Sequence, residues 1–287
     1  MDFVLGSAPL LYAGVFIMGA LIGSFLNVVI LRLPPMLEHD WRCQCRELLE
    51  LDPDASDRPP GIVVSRSRCP KCGHAIAAWE NVPLISYLLL GGKCSACKTR
   101  ISVRYPLVEL ATAVVFTVTI WHFGASLQGA TALLLTAYLI VMAAIDIDHQ
   151  LLPDNLTLPL LWAGLLLNLG AVHTDLASSV TGAIAGYIVL WSVYQLFRLL
   201  TGKEGMGYGD FKLLAALGAW MGWQLLPLIV LLSSVVGAVV GLLLMSTGRL
   251  KRDKPMPFGP FIAAAGWIAL IWGRDIIDFY AGPGSFG

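Results

Sequence analysis

Charge is scarce in this chain. Only 13% of its 287 residues are Asp, Glu, Lys or Arg, about half the share of an average soluble domain. A water-soluble enzyme with a single core is excluded on that ground. Disorder is excluded as well, because 57% of the residues are hydrophobic. Net charge is absent too: 19 basic residues balance 19 acidic ones, so no long-range field points to nucleic acid as a partner. The first apolar run lacks the basic start and the short length of a cleaved signal peptide, and reads as a retained span. Two familiar routes to catalysis are missing. No HExxH or Ser/His arrangement offers a hydrolytic site, and no strand–GxGxxG–helix unit offers a dinucleotide-type fold.

What charge there is gathers in one place. Residues 32–104 hold 11 Lys/Arg and 8 Asp/Glu, half of all the charges in the chain. Elsewhere the charges bound long apolar runs. Of the uncharged runs, 29 residues lie between Asp2 and Arg32, 36 between Glu109 and Asp146, and 20 between Asp154 and Asp175. Another 22 lie between Asp175 and Arg198, 36 between Lys212 and Arg249, and 19 between Lys254 and Arg274. A bilayer core takes roughly 20 residues per helix, so each 36-residue run must fold back on itself. The breaks are expected at Trp121-His122-Phe123-Gly124 and Trp220-Met221-Gly222-Trp223, where interfacial Trp stands beside a glycine turn. The expected fold is an all-α polytopic membrane protein of about eight transmembrane helices.

Alternating loops place residues 32–104, 146–155, 198–212 and 249–257 on one side, with 18 of the 19 Lys/Arg. That excess marks the cytoplasmic face and puts both termini outside, in the periplasm of a Gram-negative cell. The expected organisation is a first transmembrane helix at 1–31, a cytoplasmic zinc-knuckle loop at 32–104 between the first two spans, and a seven-helix catalytic region at 105–287.

Within the polar loop, Cys69-Pro-Lys-Cys72 and Cys94-Ser-Ala-Cys97 form two CxxC pairs separated by 21 residues. Two such turns supply the four thiolates of a tetrahedral Zn²⁺ site, with no open position for chemistry. The zinc is therefore expected to be structural. Disulfides are disfavoured in a cytoplasmic loop. Cys43 and Cys45, a CxC pair, stand outside the pattern and read as free thiols or as ligands in a separate metal role. The segment 36–58 reads as an insertion-like loop carrying seven acids: Glu38, Asp40, Glu47, Glu50, Asp52, Asp54 and Asp57. It is either a solvated loop or a surface that attracts a basic peptide.

Ionisable residues at membrane edges are functional candidates by default. Asp146, Asp148 and Asp154 follow the third expected span, and Gly205-Met-Gly207-Tyr-Gly209-Asp210 opens the sixth. Two aspartates brought together in a dry site share one proton and can activate water against a peptide carbonyl. The glycines would let the chain turn sharply and pass close to a neighbour ahead of Asp210. Asp148 is about 200° around a helix from Asp146, so both cannot face Asp210 from one continuous helix. For Asp148 a solvated role, and for Asp154 a helix cap, stand beside a supporting role in catalysis. Carboxylates in membrane helices equally serve ion coupling in transporters.

These motifs resemble the type IV prepilin peptidases. Gly207-Tyr-Gly209-Asp210 matches the GxGD motif of intramembrane aspartic proteases, and Asp146 followed by Leu152-Pro-Asp154 matches the family's other aspartate motif. Gly19-Ala-Leu-Ile-Gly-Ser-Phe-Leu-Asn-Val28, Trp79-Glu-Asn-Val-Pro83, the four cysteines, Arg104-Tyr-Pro106 with Glu109, and Pro257-Phe-Gly-Pro260 follow in the family's order.

The resemblance implies an aspartic endopeptidase of the bacterial inner membrane. Asp146 and Asp210 would be catalytic, supported by Gly207, Gly209, Asp148 and Asp154. Its substrates would be type IV prepilins and type II secretion pseudopilins, cut after glycine at the cytoplasmic border. It also implies N-methylation of the new terminus with S-adenosylmethionine, at a site the sequence does not reveal. Gly91 and Gly92 read as a plain turn or as a close approach to a cofactor. The competing classes are a transporter using the same aspartates for ions and an assembly factor that has lost catalysis. A transporter predicts internal repeats, and none is apparent. A lost activity predicts a missing Asp or Gly, and none is missing.

Overall fold

The computed structural model describes residues 2–52, 58–63, 66–248 and 256–282, and within them the chain is all-helical apart from two isolated β-bridges. Asp54, Asp57 and the basic stretch Arg249–Lys254 lie outside the described residues. Packing divides the chain into two compact units, Met1–Gly124 and Ala125–Gly287.

The first unit contains α1 (Asp2–Leu48), α2 (Ile85–Leu89) and α3 (Arg104–Phe123). α1 pairs with α3 along a seam of small residues. A Cβ on Gly19 would lie 2.7 Å from Ala113 Cα, and one on Gly23 would lie 2.8 Å from Glu109 Cα. The Gly19-xxx-Gly23 spacing thus brings two membrane helices into backbone contact, where close van der Waals packing replaces the hydrophobic effect.

α1 does not end at the first arginine. It continues through Pro34 and Pro35 to Leu48, so the loop expected over 36–58 begins only after that helix. Leu33 and Leu37, one turn apart, are buried on one face, and Glu38, Arg42, Gln44, Arg46 and Glu47 are good helix formers. Together they outweigh the two missing proline donors.

The second unit contains α4 (Leu127–His149), α5 (Asp154–Asn168), α6 (Leu176–Thr201), α7 (Tyr208–Met221), α8 (Leu226–Ser246) and α9 (Gly259–Ala281). α7 is its core. Every residue from Leu213 to Met221 is buried, as are Asp210 and Phe211, and α5, α6 and α9 all pack against it. Buried polar groups fix the register at the far end of α7. Asn168 donates to Ala219 O at 2.8 Å and accepts from the His173 N–H at 3.0 Å. Ser179 Oγ also donates to Ala219 O.

Both expected chain breaks fall where glycine adopts positive φ, at Gly124 (+68°) and Gly222 (+86°). At the second break Trp223 is exposed beside the glycine, but Trp220 does not lie at an interface. Trp220 is fully buried, its indole N–H donating to Leu160 O at 2.7 Å, because the missing side chain of Gly164 leaves room for the ring.

Among the described residues, six helices are long and apolar enough to cross a membrane: α1, α3, α4, α6, α8 with the turn before it, and α9. The protein is a multi-pass membrane protein. α5 and α7 have 15 and 14 residues, or only ~21–23 Å of helix against a core of about 30 Å.

Candidate active site and metal centre

One end of α4 and the starts of α7 and α9 meet around two aspartates. α4 stops because Gln150 adopts a left-handed conformation (φ 52°), its N–H donating to Asp146 O at 2.9 Å. Asp146 is therefore on the last full turn and is 5% exposed. Its Oδ2 accepts the Gly259 N–H at 2.9 Å, at the first residue of α9. Asp210 is the third residue of α7 and is 6% exposed. The two carboxylates are close enough to interact electrostatically. Asp210 also sits where the helix dipole favours negative charge. Asp148, two residues beyond Asp146, is exposed.

Leu152 wedges this arrangement. A Cβ on Gly209 would lie 2.6 Å from Leu152 Cβ. One on Gly259 would lie 2.6 Å from Asp146 Oδ2 and 3.1 Å from Leu152 Cδ1. Gly209 therefore acts through close approach, whereas a Cβ on Gly207 would meet only Asp210 Oδ2, at 3.9 Å. None of Gly205, Gly207 and Gly209 has positive φ, although the chain does bend at Met206 before α7. Gly205 instead lies against the ring of Phe197. Behind Asp210 the rings of Tyr187, Tyr194, Tyr208 and Phe211 pack at 5.5–5.9 Å.

Asp154 is the first residue of α5, and Pro153 holds the cap position, so the expected Asp154 cap is replaced by an ion pair. Lys212 Nζ lies 2.6 Å and 2.8 Å from the two Asp154 carboxylate oxygens.

The metal centre is built from two copies of one turn. In the first, Cys69 N–H donates to His74 O and Gly73 N–H to Cys69 O. In the second, Cys94 N–H donates to Thr99 O and Lys98 N–H to Cys94 O, all at 2.9–3.0 Å. Each turn needs a left-handed residue after its second cysteine, filled by Gly73 (φ 72°) and Lys98 (φ 57°). His74 joins the copies, contacting Glu80 Oε2 and Ser95 Oγ at 3.2 Å each.

The Sγ atoms of Cys69, Cys72, Cys94 and Cys97 all lie within 4.8 Å of one another, and Cys69 and Cys97 are 3.8 Å apart. Zn–S bonds of about 2.3 Å would set tetrahedral sulfurs about 3.8 Å apart, so the four cysteines fit structural zinc. The thiols by themselves titrate unevenly. The hydroxyl and N–H of Thr99 bring Cys97 down to about 6. The His74 N–H lowers Cys72, but burial and the neighbouring thiols outweigh it and push Cys72 up to about 11. A dication would resolve this conflict by stabilising four thiolates together.

Two family profiles match the chain: "Bacterial Peptidase A24 N-terminal domain" over residues 17–123 and "Type IV leader peptidase family" over residues 133–242. Proteins named prepilin leader peptidase/N-methyltransferase match almost end to end. Those of Stutzerimonas stutzeri and Pseudomonas aeruginosa are 55% and 54% identical, each over 96% of both chains. The chain belongs to the type IV leader peptidase family. Its member from Aeromonas hydrophila is 53% identical over 98% of this chain and 97% of its own. No solved structure matches. These relatives give the transporter alternative no support.

Within this leader peptidase, sequence reasoning passed over Leu152, Gly259 and Lys212 as parts of the aspartate site. Leu152 and Gly259 lie inside quoted motifs, and a signal for Gly259 was available in a glycine between Phe and Pro at a helix start. Lys212, two residues beyond Asp210, was legible only as a charge at the end of an apolar run.

Proposed function

We propose that the protein is a prepilin leader peptidase and N-methyltransferase in which Asp146 and Asp210 hydrolyse the peptide bond. The observation that carries this reading is the pair itself: two buried, interacting carboxylates at the ends of α4 and α7, in a chain whose relatives bear that name.

Like carboxylates in a water-poor site share a proton. The ionised one takes a proton from water, and the hydroxyl attacks the carbonyl carbon while the protonated one donates to the carbonyl oxygen. Collapse of the tetrahedral species breaks the C–N bond, and a proton passes to the leaving amine. The Gly259 N–H fixes one Asp146 oxygen for this work. Gly209 lets Asp210 approach, Gly207 leaves room beside its carboxylate, and Asp154 supports it through Lys212. For the exposed Asp148 the supporting contribution is the charge it adds at the end of α4.

In this reading α5 and α7 are short spans, making eight in all, in the bacterial inner membrane. Residues 32–104 and the aspartates lie at the cytoplasmic face, and both termini are periplasmic. The functional division into 1–31, 32–104 and 105–287 follows that topology, whereas packing pairs α3 with α1. The substrates are prepilins and pseudopilins, cut after glycine beyond a basic leader. Zinc held by the four cysteines is structural. S-adenosylmethionine, when bound, would supply the methyl group for the new N-terminal amine.

The test is mass spectrometry of a synthetic prepilin incubated with purified enzyme and S-adenosylmethionine. Leader release and a methylated terminus are expected. Asp146→Asn and Asp210→Asn should each slow cleavage about 100- to 10,000-fold with zinc content unchanged. Full cleavage by either variant would overturn the assignment.

A further inference from the structure

The aspartate site accounts for the peptidase and uses only the second unit. The first unit contains a cavity of about 480 Å³ that hydrolysis does not need. We propose that this cavity is the binding site for S-adenosylmethionine; the proposal rests on the methyltransferase reading above.

The volume falls within the range of about 300–1,000 Å³ typical of cofactor sites. Its walls come from the middle of α1, the start of α3 and the zinc-knuckle segment. Three kinds of group are gathered there, and S-adenosylmethionine has three kinds of feature to match. Tyr87 and Tyr105 provide aromatic surface for a purine. Arg100 is a cation at the wall for the ligand's carboxylate. Glu109 provides a buried carboxyl group, 8% exposed, for the sulfonium.

Glu109 is the unusual member. A carboxylate inside a candidate membrane span is costly to retain, yet this one is held in place. Its Oε2 accepts the Leu84 N–H at 2.8 Å, where Leu84 has a left-handed backbone (φ 62°). Ser24 on α1 hydrogen-bonds to it as well. On the same wall, Asn27 is fixed by donating to Tyr105 O at 3.1 Å. The chain thus accepts a strained residue and a buried carboxylate around one cavity. A purely structural role would be served more cheaply by a neutral amide. A cationic ligand would favour a carboxylate at this position over an amide.

The sulfonium offers a direct test, because S-adenosylhomocysteine has nearly the same shape with neutral sulfur. Binding of both compounds to the full-length enzyme in nanodiscs is measured by equilibrium dialysis. The native enzyme should bind S-adenosylmethionine more tightly than the neutral product. Glu109→Gln keeps an acceptor for the Leu84 N–H, and should weaken S-adenosylmethionine about tenfold while changing S-adenosylhomocysteine little. Val28→Trp, which fills the cavity from α1, should weaken both while zinc content and prepilin cleavage persist. If both variants bind both compounds as the native enzyme does, the cavity is not the site, and methyl transfer by the native enzyme would still stand. If the native enzyme neither binds S-adenosylmethionine nor methylates a cleaved prepilin, the methyltransferase reading itself fails.

Discussion

Lys212 holds both carboxylate oxygens of Asp154, at 2.6 Å and 2.8 Å, and so ties the start of α7 to the start of α5. Lys212 is two residues beyond Asp210, and Asp154 is eight beyond Asp146. The ion pair therefore closes the segment containing one aspartate against the helix containing the other. Exposed ion pairs contribute only about 0–1 kcal/mol to stability, so Lys212→Met should hardly move the melting temperature. Cleavage should fall by about fivefold, the equivalent of ~1 kcal/mol spent on positioning Asp210. Asp154→Asn should cost about the same, and the double variant no more than either alone. Independent, multiplying losses in kcat would show that the two residues do not act as a pair.

The glycines around the aspartates give a sharper steric prediction. Gly259→Ala would set a methyl group 2.6 Å from Asp146 Oδ2 and 3.1 Å from Leu152. Overpacking of this kind costs about 1–3 kcal/mol, here directed at the carboxylate, so kcat should fall by roughly tenfold or more. Gly237→Ala in α8 is the control. Its nearest neighbour would be Phe261 at 3.4 Å, an ordinary contact, and alanine favours a helix interior over glycine by about 1 kcal/mol. Steady-state cleavage by the two variants separates a local clash at the site from a general sensitivity to lost glycine.

Much of this arrangement was legible in the sequence, for identifiable reasons. The CxxC spacing encodes a local turn, and Cys69–Thr99 folds into two matching turns because each supplies its own hydrogen bonds. The chain breaks at Gly124 and Gly222 were legible because positive φ there favours glycine. Lys98, which takes the same conformation with a side chain, has no such signature. The continuation of α1 past Pro34 was hidden because proline reads as a stop when packing is unseen. Trp220 was misplaced for the converse reason. An indole beside a glycine resembles an interfacial anchor until the space vacated at Gly164, 56 residues earlier, is seen to hold it. Leu152 acts only through tertiary contact, which no local pattern encodes.

Metal removal should separate the two halves of the chemistry. Zinc has no open position on four thiolates, so its loss should act through the fold of the knuckles. Cys94→Ser is expected to lower zinc content and open Lys71, Lys93 and Lys98 to trypsin. Binding of S-adenosylmethionine should weaken with it, because Cys69 and Cys94 also line the cavity. Full zinc content in this variant, measured by mass spectrometry of the metal, would remove the four-cysteine site.

The last prediction concerns pH and the end of α7 remote from the aspartates. His173, in the connection between α5 and α6, is buried against Trp220 with ring centroids 5.4 Å apart. Its Nε2 is 2.9 Å from Thr131 Oγ1. Burial lowers its pKa from 6.5 to about 4, so the folded protein holds it neutral while the unfolded chain binds a proton below about pH 6.5. The stability at stake is therefore fully present above pH 6.5 and is lost as pH falls toward 4, where the loss levels off. A shift of this size corresponds to about 3 kcal/mol. The melting temperature of the native protein should accordingly drop between pH 6.5 and 4. His173→Gln, which has no proton to gain there, should melt lower than the native protein at pH 8 and show a shallower decline on acidification. Parallel melting curves for the two proteins across that range would mean that His173 is not held neutral by the fold.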